Sequence, residues 1–313
     1  MNQPLLSVVI VSYNCAGFLR ACLDSLPAGG APYEAIVVDN GSADGTVGMV
    51  GTGYPGARLI ANRHNRGFAA ACNQGIEAAR GRHILLLNPD TVVRSGAFAA
   101  LLAFMERTPD AGACGPRLLN PDGSLQASCH PFPSLRAQAT DILELWRIPW
   151  VRARRPCGDH CRTQPADWLT GACLLLRREA LDAVGPLDED YWMFSEEVDW
   201  CYRARRAGWR TYLVAEAEVV HRGGATYAGA DTEMIVELYR SIFRFYWKHC
   251  APWRRAALTL LVWALMLGKV LLLLPLGWGQ PRRQKLRRAY WEAMWLGLQR
   301  PRPGPPRRLG FAR

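Results

Sequence analysis

Leu85-Leu86-Leu87-Asn88-Pro89-Asp90 is the stretch on which the fold turns. Together with His83 and Ile84 it reads as a short buried strand that Asn-Pro-Asp stops abruptly. One carboxylate, Asp90, is thereby set at the C-terminal edge of a sheet. In open α/β sheets ligands bind at that edge. A carboxylate there is a candidate seat for a divalent metal, Mg or Mn, and a diphosphate.

Upstream of this strand, strands and helices alternate. Ser7 to Ser12 is a β-branched strand, and Ala16 to Leu26 has helical periodicity through Phe18, Leu19, Cys22, Leu23 and Leu26. Glu34 to Val38 is a second strand, ending in Asp39-Asn40-Gly41-Ser42, and Asp44-Gly45-Thr46 opens a helix. Ala57 to Ala61 is a third strand, and Phe68 to Ala79 is a helix of small residues. This alternation predicts a parallel sheet covered by helices on both faces. No G-x-G-x-x-G follows the first strand, so the dinucleotide fingerprint is absent.

Downstream, residues 116–165 are rich in Pro, Arg and Trp and read as loops with some helix. Trp168 to Arg177 reads as one strand, Glu179 to Val184 as a short helix, and Glu196 to Ala207 as a helix stopped by Gly208. Tyr212 to Val220 is another strand, ending at His221. A long helix follows from Thr232 to His249. Ala256 to Leu274 has the length of a membrane span and one charge, Lys269. Three parts are expected: an α/β half over 1–115, a second half over 116–248, and an apolar helix with a basic tail over 249–313.

The net charge of +11 is unevenly placed. From Pro281 to Arg313 there are ten Lys/Arg and one acid, Glu292, leaving about +2 for the rest. The basic character belongs to a tail and is not a nucleic-acid face on the body. It suits anionic lipid headgroups. No signal peptide is visible, so the body is expected in the cytoplasm. The ten Cys are scattered and read as reduced thiols. Cys157, His160 and Cys161 lie close together, but their spacing matches no common zinc pattern, and an ordinary loop is the better reading.

Strand-end acids are usually turn formers or caps. Two of them, Asp39 and Asp90, on one sheet favour a site: Asp39 for a base or ribose, Asp90 for a metal bridging two phosphates. Asn65-Arg66-Gly67-Phe68 opens a helix, where anions are attracted and Arg66 adds a cation. Close packing by small residues is the plainer account of that helix. Glu196 and Glu197 follow the aromatic run Tyr191 to Phe194, and apolar surroundings raise a carboxyl pKa toward that of a general base. Asp199 and Arg203 are spaced i, i+4 as a structural pair. His221 could complete a metal site with Asp90.

In their order these features resemble the family-2 inverting glycosyltransferases of GT-A fold. The matching stretches are Ser7 to Asn14, Val37 to Thr46, Asn65 to Phe68 with Asn73-Gln74-Gly75, Leu86 to Asp90, Thr170-Gly171-Ala172, Phe194 to Arg203, and His221. The Asn-Pro-Asp form is most similar to the bacterial rhamnosyltransferase-like branch, which builds cell-wall and surface polysaccharides. The resemblance implies that Asp39 contacts the nucleotide base, flanked by Ser12, Tyr13 and Asn14. It places Asn40, Ser42, Asp44, Asn65, Arg66, Gly67, Asn73, Asn88, Gly171 and Asp199 around the substrates. Asp90 takes the metal in the D-x-D place, with His221 as a further ligand. The acceptor base falls on Glu197, with Glu196 as second candidate. Two departures stand out: Asn88 replaces the first acid of D-x-D, and Glu197 is longer by a methylene than the family's Asp.

The implied reaction moves a sugar, with rhamnose one candidate, from a nucleotide-diphosphate donor to a hydroxyl of a lipid-linked or polysaccharide acceptor, with inversion. A non-catalytic sugar-nucleotide-binding protein and a nucleotidyltransferase are the rivals. The second would need a Gly-rich, Lys-bearing triphosphate loop, which is absent near the first strand. Trp253, Arg254 and Arg255 before the apolar run, and Trp278, Arg282 and Arg283 after it, suit membrane interfaces. A full crossing would put the Arg-rich tail outside, against the positive-inside rule. A helix lying in the inner leaflet, on the cytoplasmic face of the inner membrane, is therefore expected.

Overall fold

The computed structural model describes residues 5–143, 160–223, 231–273 and 281–300. Cys157, Trp278 and the tail from 301 onward lie outside them. The first four apolar runs are β1 (Leu6–Ser12), β2 (Tyr33–Asp39), β3 (Ala57–Ala61) and β4 (His83–Leu87). They pair in parallel in the order β3-β2-β1-β4. The crossovers are α1 (Ala16–Ser25), α2 (Thr46–Gly53) and α3 (Phe68–Ala78). The chain winds outward from β1 and then returns to its other side. The topological switch point, where α/β sheets bind ligands, therefore lies between β1 and β4.

β1, β2 and β4 are apolar almost throughout because both faces are covered. Val8, Ile10, Val37, Leu85 and Leu87 join one core layer with Leu19, Phe98 and Leu101. Val9, Val11, Ile36, Val38 and Leu86 join the opposite layer with Ala69, Ala71, Cys72 and Trp200. The small residues of α3 are packing residues: a Cβ on Gly75 would lie 2.2 Å from Val9 Cγ1.

Beyond β4 the expected parallel sheet becomes mixed. β11 (Cys173–Arg177) runs antiparallel to β4, and β6 (Ala111–Leu119) antiparallel to β11. β12 (Arg210–His221) is parallel to β6, and β5 (Thr91–Val93) is antiparallel to β12. α4 (Ala97–Arg107) links β5 to β6. The expected strand from Trp168 to Arg177 is in fact two. β10 (Trp168–Leu169) pairs with β8 (Cys129–His130), and β11 pairs with β4. Between them, Thr170 N donates to Ser128 O while Asn88 N donates to Ala172 O, so the backbone changes partners at Gly171.

The region expected to be loops holds the end of β6, β7 (Leu125–Gln126), β8, α5 (Leu135–Ile142) and β9 (Gln164–Ala166). β6 escapes a periodicity reading because Gly112, Gly115 and Pro116 interrupt it. Both glycines are needed for close approach: a Cβ at Gly112 would be 2.7 Å from Trp209 Cβ, and one at Gly115 2.8 Å from Cys173 O. His160 Nε2 accepts the Ser128 and Cys129 amides at 3.1 and 3.3 Å. The nine described cysteines are free thiols, seven of them buried.

The remaining helices are α6 (Arg178–Val184), α7 (Glu196–Arg206), α8 (Asp231–His249), α9 (Pro252–Leu273) and α10 (Pro281–Leu296). Two compact units form. One takes residues 1–132, 156–189 and 196–226 and contains the ten-stranded sheet; the other takes 133–155, 190–195 and 227–313. Part of what read as a basic tail is helix α10, which packs on α8 and α9 within the second unit. No helix among the described residues is long and apolar enough to cross a membrane.

Replacing Gly75 by Ala forces a methyl into Val9 and should cost about 1–3 kcal/mol of stability, read from the denaturant midpoint. An unchanged midpoint would mean that α3 and β1 have room to spare.

Candidate active site

Every candidate chemical residue lies in the sheet-containing unit, beyond the C-terminal ends of β1, β2 and β4 or next to them. Asp39 ends β2 and is 1% exposed. Its Oδ2 accepts the Gly41 and Ser42 amides at 3.2 and 3.0 Å. Its Oδ1 is buried without a hydrogen-bond partner. A buried carboxylate oxygen left unpaired is costly and marks a place prepared for a donor group. Gly41 sits at φ +86°, and a Cβ there would be 2.9 Å from His64 Cα, so the turn that holds Asp39 requires glycine.

The loops around Asp39 are tied to one another. Asn14, at φ 48°, donates its amide to Ser42 Oγ at 2.9 Å and accepts the Ala43 amide on Oδ1 at 2.8 Å. Asp44 Oδ2 accepts the Ala16 amide at the start of α1, and Oδ1 accepts the Thr46 amide. Burial would raise the Asp44 pKa, but these bonds outweigh it and hold it below the usual range. Asn40 spends all four hydrogen-bonding positions. Nδ2 donates to Asn65 Oδ1 and Gly67 O, and Oδ1 accepts Asn62 Nδ2 and the Arg66 amide. The Arg66 side chain is exposed at the mouth of this loop. Asn73 is occupied differently: it clasps Leu187 through both backbone groups at 2.9 and 3.0 Å and reaches Glu189. Ser12 is buried, its Oγ 3.2 Å from Cys15 Sγ.

Asp90 and His221 meet, although 131 positions apart in the sequence. β5 begins at Thr91 and pairs with β12 so that Thr91 is opposite His221. Arg222 N donates to Asp90 O at 3.1 Å. His221 Nε2 then lies 3.3 Å from Asp90 Oδ1, both groups being largely buried. Gln126, which the sequence reading missed, fixes the ring. Its Nε2 donates to His221 O and Asn120 Oδ1, so its Oε1 is the atom 2.7 Å from His221 Nδ1. An amide oxygen can only accept, so Nδ1 carries the hydrogen. Nε2 then faces a carboxylate oxygen. Two electron-rich atoms this close require a positive charge between them, a proton or a metal ion. One carboxylate and one imidazole suit Mn or Mg completed by phosphate and water. Asn88, in the first-acid place, is half-buried, with its backbone tied to Ala172 and Thr91.

Glu196 and Glu197 open α7. A Cβ on Gly171 would lie 3.6 Å from the Glu197 carboxylate, so the break between β10 and β11 makes room for this side chain. Burial raises the Glu197 pKa, and the amides of Glu197, Gly171 and Val198 only partly offset it. Its Oε2 is buried with no hydrogen-bond partner. Burial, and then the nearby Glu196 and Glu197 carboxylates, push the Cys72 thiol well above its ordinary value. Asp199 pairs with Arg203 at 2.7 Å as the i, i+4 spacing indicated. Arg203 also donates to Val184 O and Pro186 O.

Comparison with known proteins assigns the architecture. The profile described as Glycosyl transferase family 2 matches residues 7–185. The chain belongs to this family. It is 34% identical over 269 residues to the N-acetylglucosaminyl-diphospho-decaprenol L-rhamnosyltransferase of Mycobacterium tuberculosis, covering 81% of this chain and 88% of the relative. Among solved structures, a mannosyltransferase from Pyrobaculum calidifontis in complex with GDP-Man and Mn2+ has a TM-score of 0.57 at 17% identity, covering 95% of this chain and 88% of that one. GalNAc-T7 with UDP, GalNAc and Mn2+ has a TM-score of 0.54 at 15% identity; 78% of this chain matches 48% of that one. These likenesses establish the GT-A-like fold. This family-2 chain is an enzyme, a glycosyltransferase, and those two neighbours hold Mn2+ beside a nucleotide or nucleotide sugar.

Asn40→Ala removes three bonds that tie the 65–67 loop to the end of β2 and a fourth to Asn62. It should cost about 1–3 kcal/mol and raise KM for a nucleotide donor, read by denaturant unfolding and donor titration. Wild-type values in both would show that the loop holds its shape without Asn40.

Proposed function

We propose that this enzyme transfers a sugar, with rhamnose the first candidate, from a nucleotide-diphosphate donor to a hydroxyl of a lipid-linked glycan, inverting the anomeric centre. The observation that carries the donor and acceptor is the relative's 34% identity over 81% of the chain, since that protein's name specifies rhamnosyl transfer to a diphospho-decaprenol-linked sugar. The setting is cell-wall or surface-polysaccharide assembly, at the cytoplasmic face of the inner membrane. Residues 1–115 form the donor half and 116–248 the acceptor half.

In this reading Asp39 Oδ1 accepts a hydrogen bond from the nucleotide base. Tyr13, Asn14, Asn40 and Ser42 shape that pocket. Asp44 and Asn73 act one step back, holding loops. Arg66 and the 65–67 turn face the diphosphate. Asp90 and His221 would hold a divalent ion, which when bound neutralises charge on the departing diphosphate. Glu197 takes the acceptor hydroxyl's proton as its oxygen attacks the anomeric carbon from the side opposite the diphosphate. The C–O bond to the acceptor forms as that to the diphosphate breaks, and the sugar inverts. Glu196 is the alternative base, and Gly171 leaves the space that Glu197 occupies. Asp199 fixes α7 through Arg203.

Four outcomes test this reading. A panel of nucleotide sugars, assayed by nucleotide release and by the anomeric configuration of the product, should give one preferred donor and inversion; retention would overturn the mechanism. Glu197→Gln should lower kcat about 100- to 10,000-fold with little change in donor binding. Because the Glu197 pKa is raised and a base works ionised, the acid limb of kcat/KM should lie above an ordinary glutamate's 4.5; a limb at or below that value would count against Glu197 as the base. Gln126→Leu frees the His221 ring and should weaken Mn2+ binding about 10- to 100-fold, read directly by paramagnetic resonance of the ion. Unchanged affinity would remove His221 from the metal site.

A further inference from the structure

α9 is apolar on nearly every side, and half of it is left uncovered. Leu258, Val262 and Met266 are fully buried on its inner side. Trp263 Nε1 donates to Met294 O at 2.8 Å and Thr259 Oγ1 to Gly297 O at 3.1 Å, fastening that side to the end of α10. On the opposite side Trp253 is 63% exposed, Leu260 71%, Leu267 43% and Leu271 54%. Ala256 and Ala264 are exposed between them. At about 100° per residue these six positions fall within about 80° of one another, along about 27 Å of helix. A helix apolar all round belongs in a buried setting, and here the protein supplies only half of it.

The uncovered surface continues onto α10. Trp263, on the flank of the stripe, meets Trp295 edge-on at 5.9 Å, and Trp295 meets Trp291 at 6.2 Å. Trp291, Trp295 and Leu298 are themselves exposed. The segment that carries this apolar area is cationic in sequence. From Pro252 to Arg313 there are thirteen Lys/Arg and one acid, Glu292, and Arg254, Lys285, Arg288 and Arg300 are exposed.

We propose that this face of α9 and α10 seats the enzyme on an anionic lipid bilayer, with α9 lying in the plane of the interface. The charge selects the occupant. Two copies meeting through this face would bring like-charged regions together, whereas an anionic bilayer offers apolar depth for the leucines and indoles and negative headgroups for the cations. Indole rings favour the boundary between the two. The inner side of α9 stays with α10, so the helix lies on the bilayer and does not cross it. This deepens the membrane placement proposed above, and its test is independent of sugar transfer.

Full-length protein is mixed with vesicles of phosphatidylcholine alone or with added phosphatidylglycerol, and binding is read by co-sedimentation and tryptophan emission. We expect binding to the anionic vesicles, a blue shift, and release by salt. Leu260→Glu with Leu267→Glu should weaken binding at least about tenfold while leaving the melting temperature and transfer to a water-soluble acceptor unchanged. Lys285→Glu with Arg288→Glu should remove the preference for anionic lipid. Equal binding by wild type and the leucine variant, or none by wild type at low salt, would overturn the proposal. So would a concentration-dependent dimer that the leucine variant abolishes, since the face would then belong to a second copy. Loss of donor turnover with lipid binding intact would count against the transferase assignments only.

Discussion

The 3.3 Å approach of Asp90 Oδ1 to His221 Nε2 is the constraint around which the site is built. With Nδ1–H given to Gln126 Oε1, Nε2 is the ring atom left to face Asp90, and the contact needs a proton or a metal ion between the two atoms. Gln126 is itself held by two acceptors, so its orientation leaves no freedom. The pair is placed by backbone. β5 follows Asp90 directly and pairs with the last residues of β12, so the turn after β4 and the end of β12 arrive together. Changing the register of that short pairing by one residue would turn His221 to the other side of the sheet. The length and position of β5, a strand of three residues, therefore govern whether a metal site exists.

Around that pair the protein spends polar side chains on holding loops. Asn14, Asn40, Asp44, Asn65 and Asn73 look alike as candidates for substrate contact, yet their bonds go mostly to backbone of neighbouring loops. Short polar side chains can replace a missing backbone partner, which is why they gather where three strands end at one edge. Asp39 and Glu197 differ in kind. Each has one oxygen buried and unpaired, and each is held by backbone amides. In the proposed reading these fixed acceptors, each with a free lone pair, would meet a base donor and an acceptor hydroxyl, and loops that did not hold their shape could not present them.

The parallel half of the sheet was legible because each of its strands is buried on both faces and ends in a polar turn. Asp39 and Asp90 mark those ends. The mixed half was obscured for identifiable reasons. β6 contains Gly112, Gly115 and Pro116, whose purpose is close approach to Trp209 and Cys173 and which break any alternation. Trp168 to Arg177 looks continuous because both pieces are apolar; only the change of partner at Gly171 separates them. Gln126 was invisible because a glutamine in a two-residue strand has no pattern, and its role exists only through His221, 95 positions away. α9 was ambiguous for a physical reason: one apolar face is packed in the protein and the other is open, so its apolar run reads like a span although the helix is not apolar enough to be one.

Asn88 gives the site its character. An acid there would put a second carboxylate at the strand end. With Asn88 the chain offers one carboxylate and one imidazole, and no cluster of three His, Cys, Asp or Glu suited to a metal occurs among the described residues. A hard divalent ion takes about six ligands, so most must come from the donor's phosphates and from water. In the proposed reading, affinity for the ion would be joined to affinity for the diphosphate, and a nucleotide lacking its second phosphate would lose both sets of contacts at once. The proposed dependence on a diphosphate would then follow from the small number of protein ligands, with Arg66 adding to it.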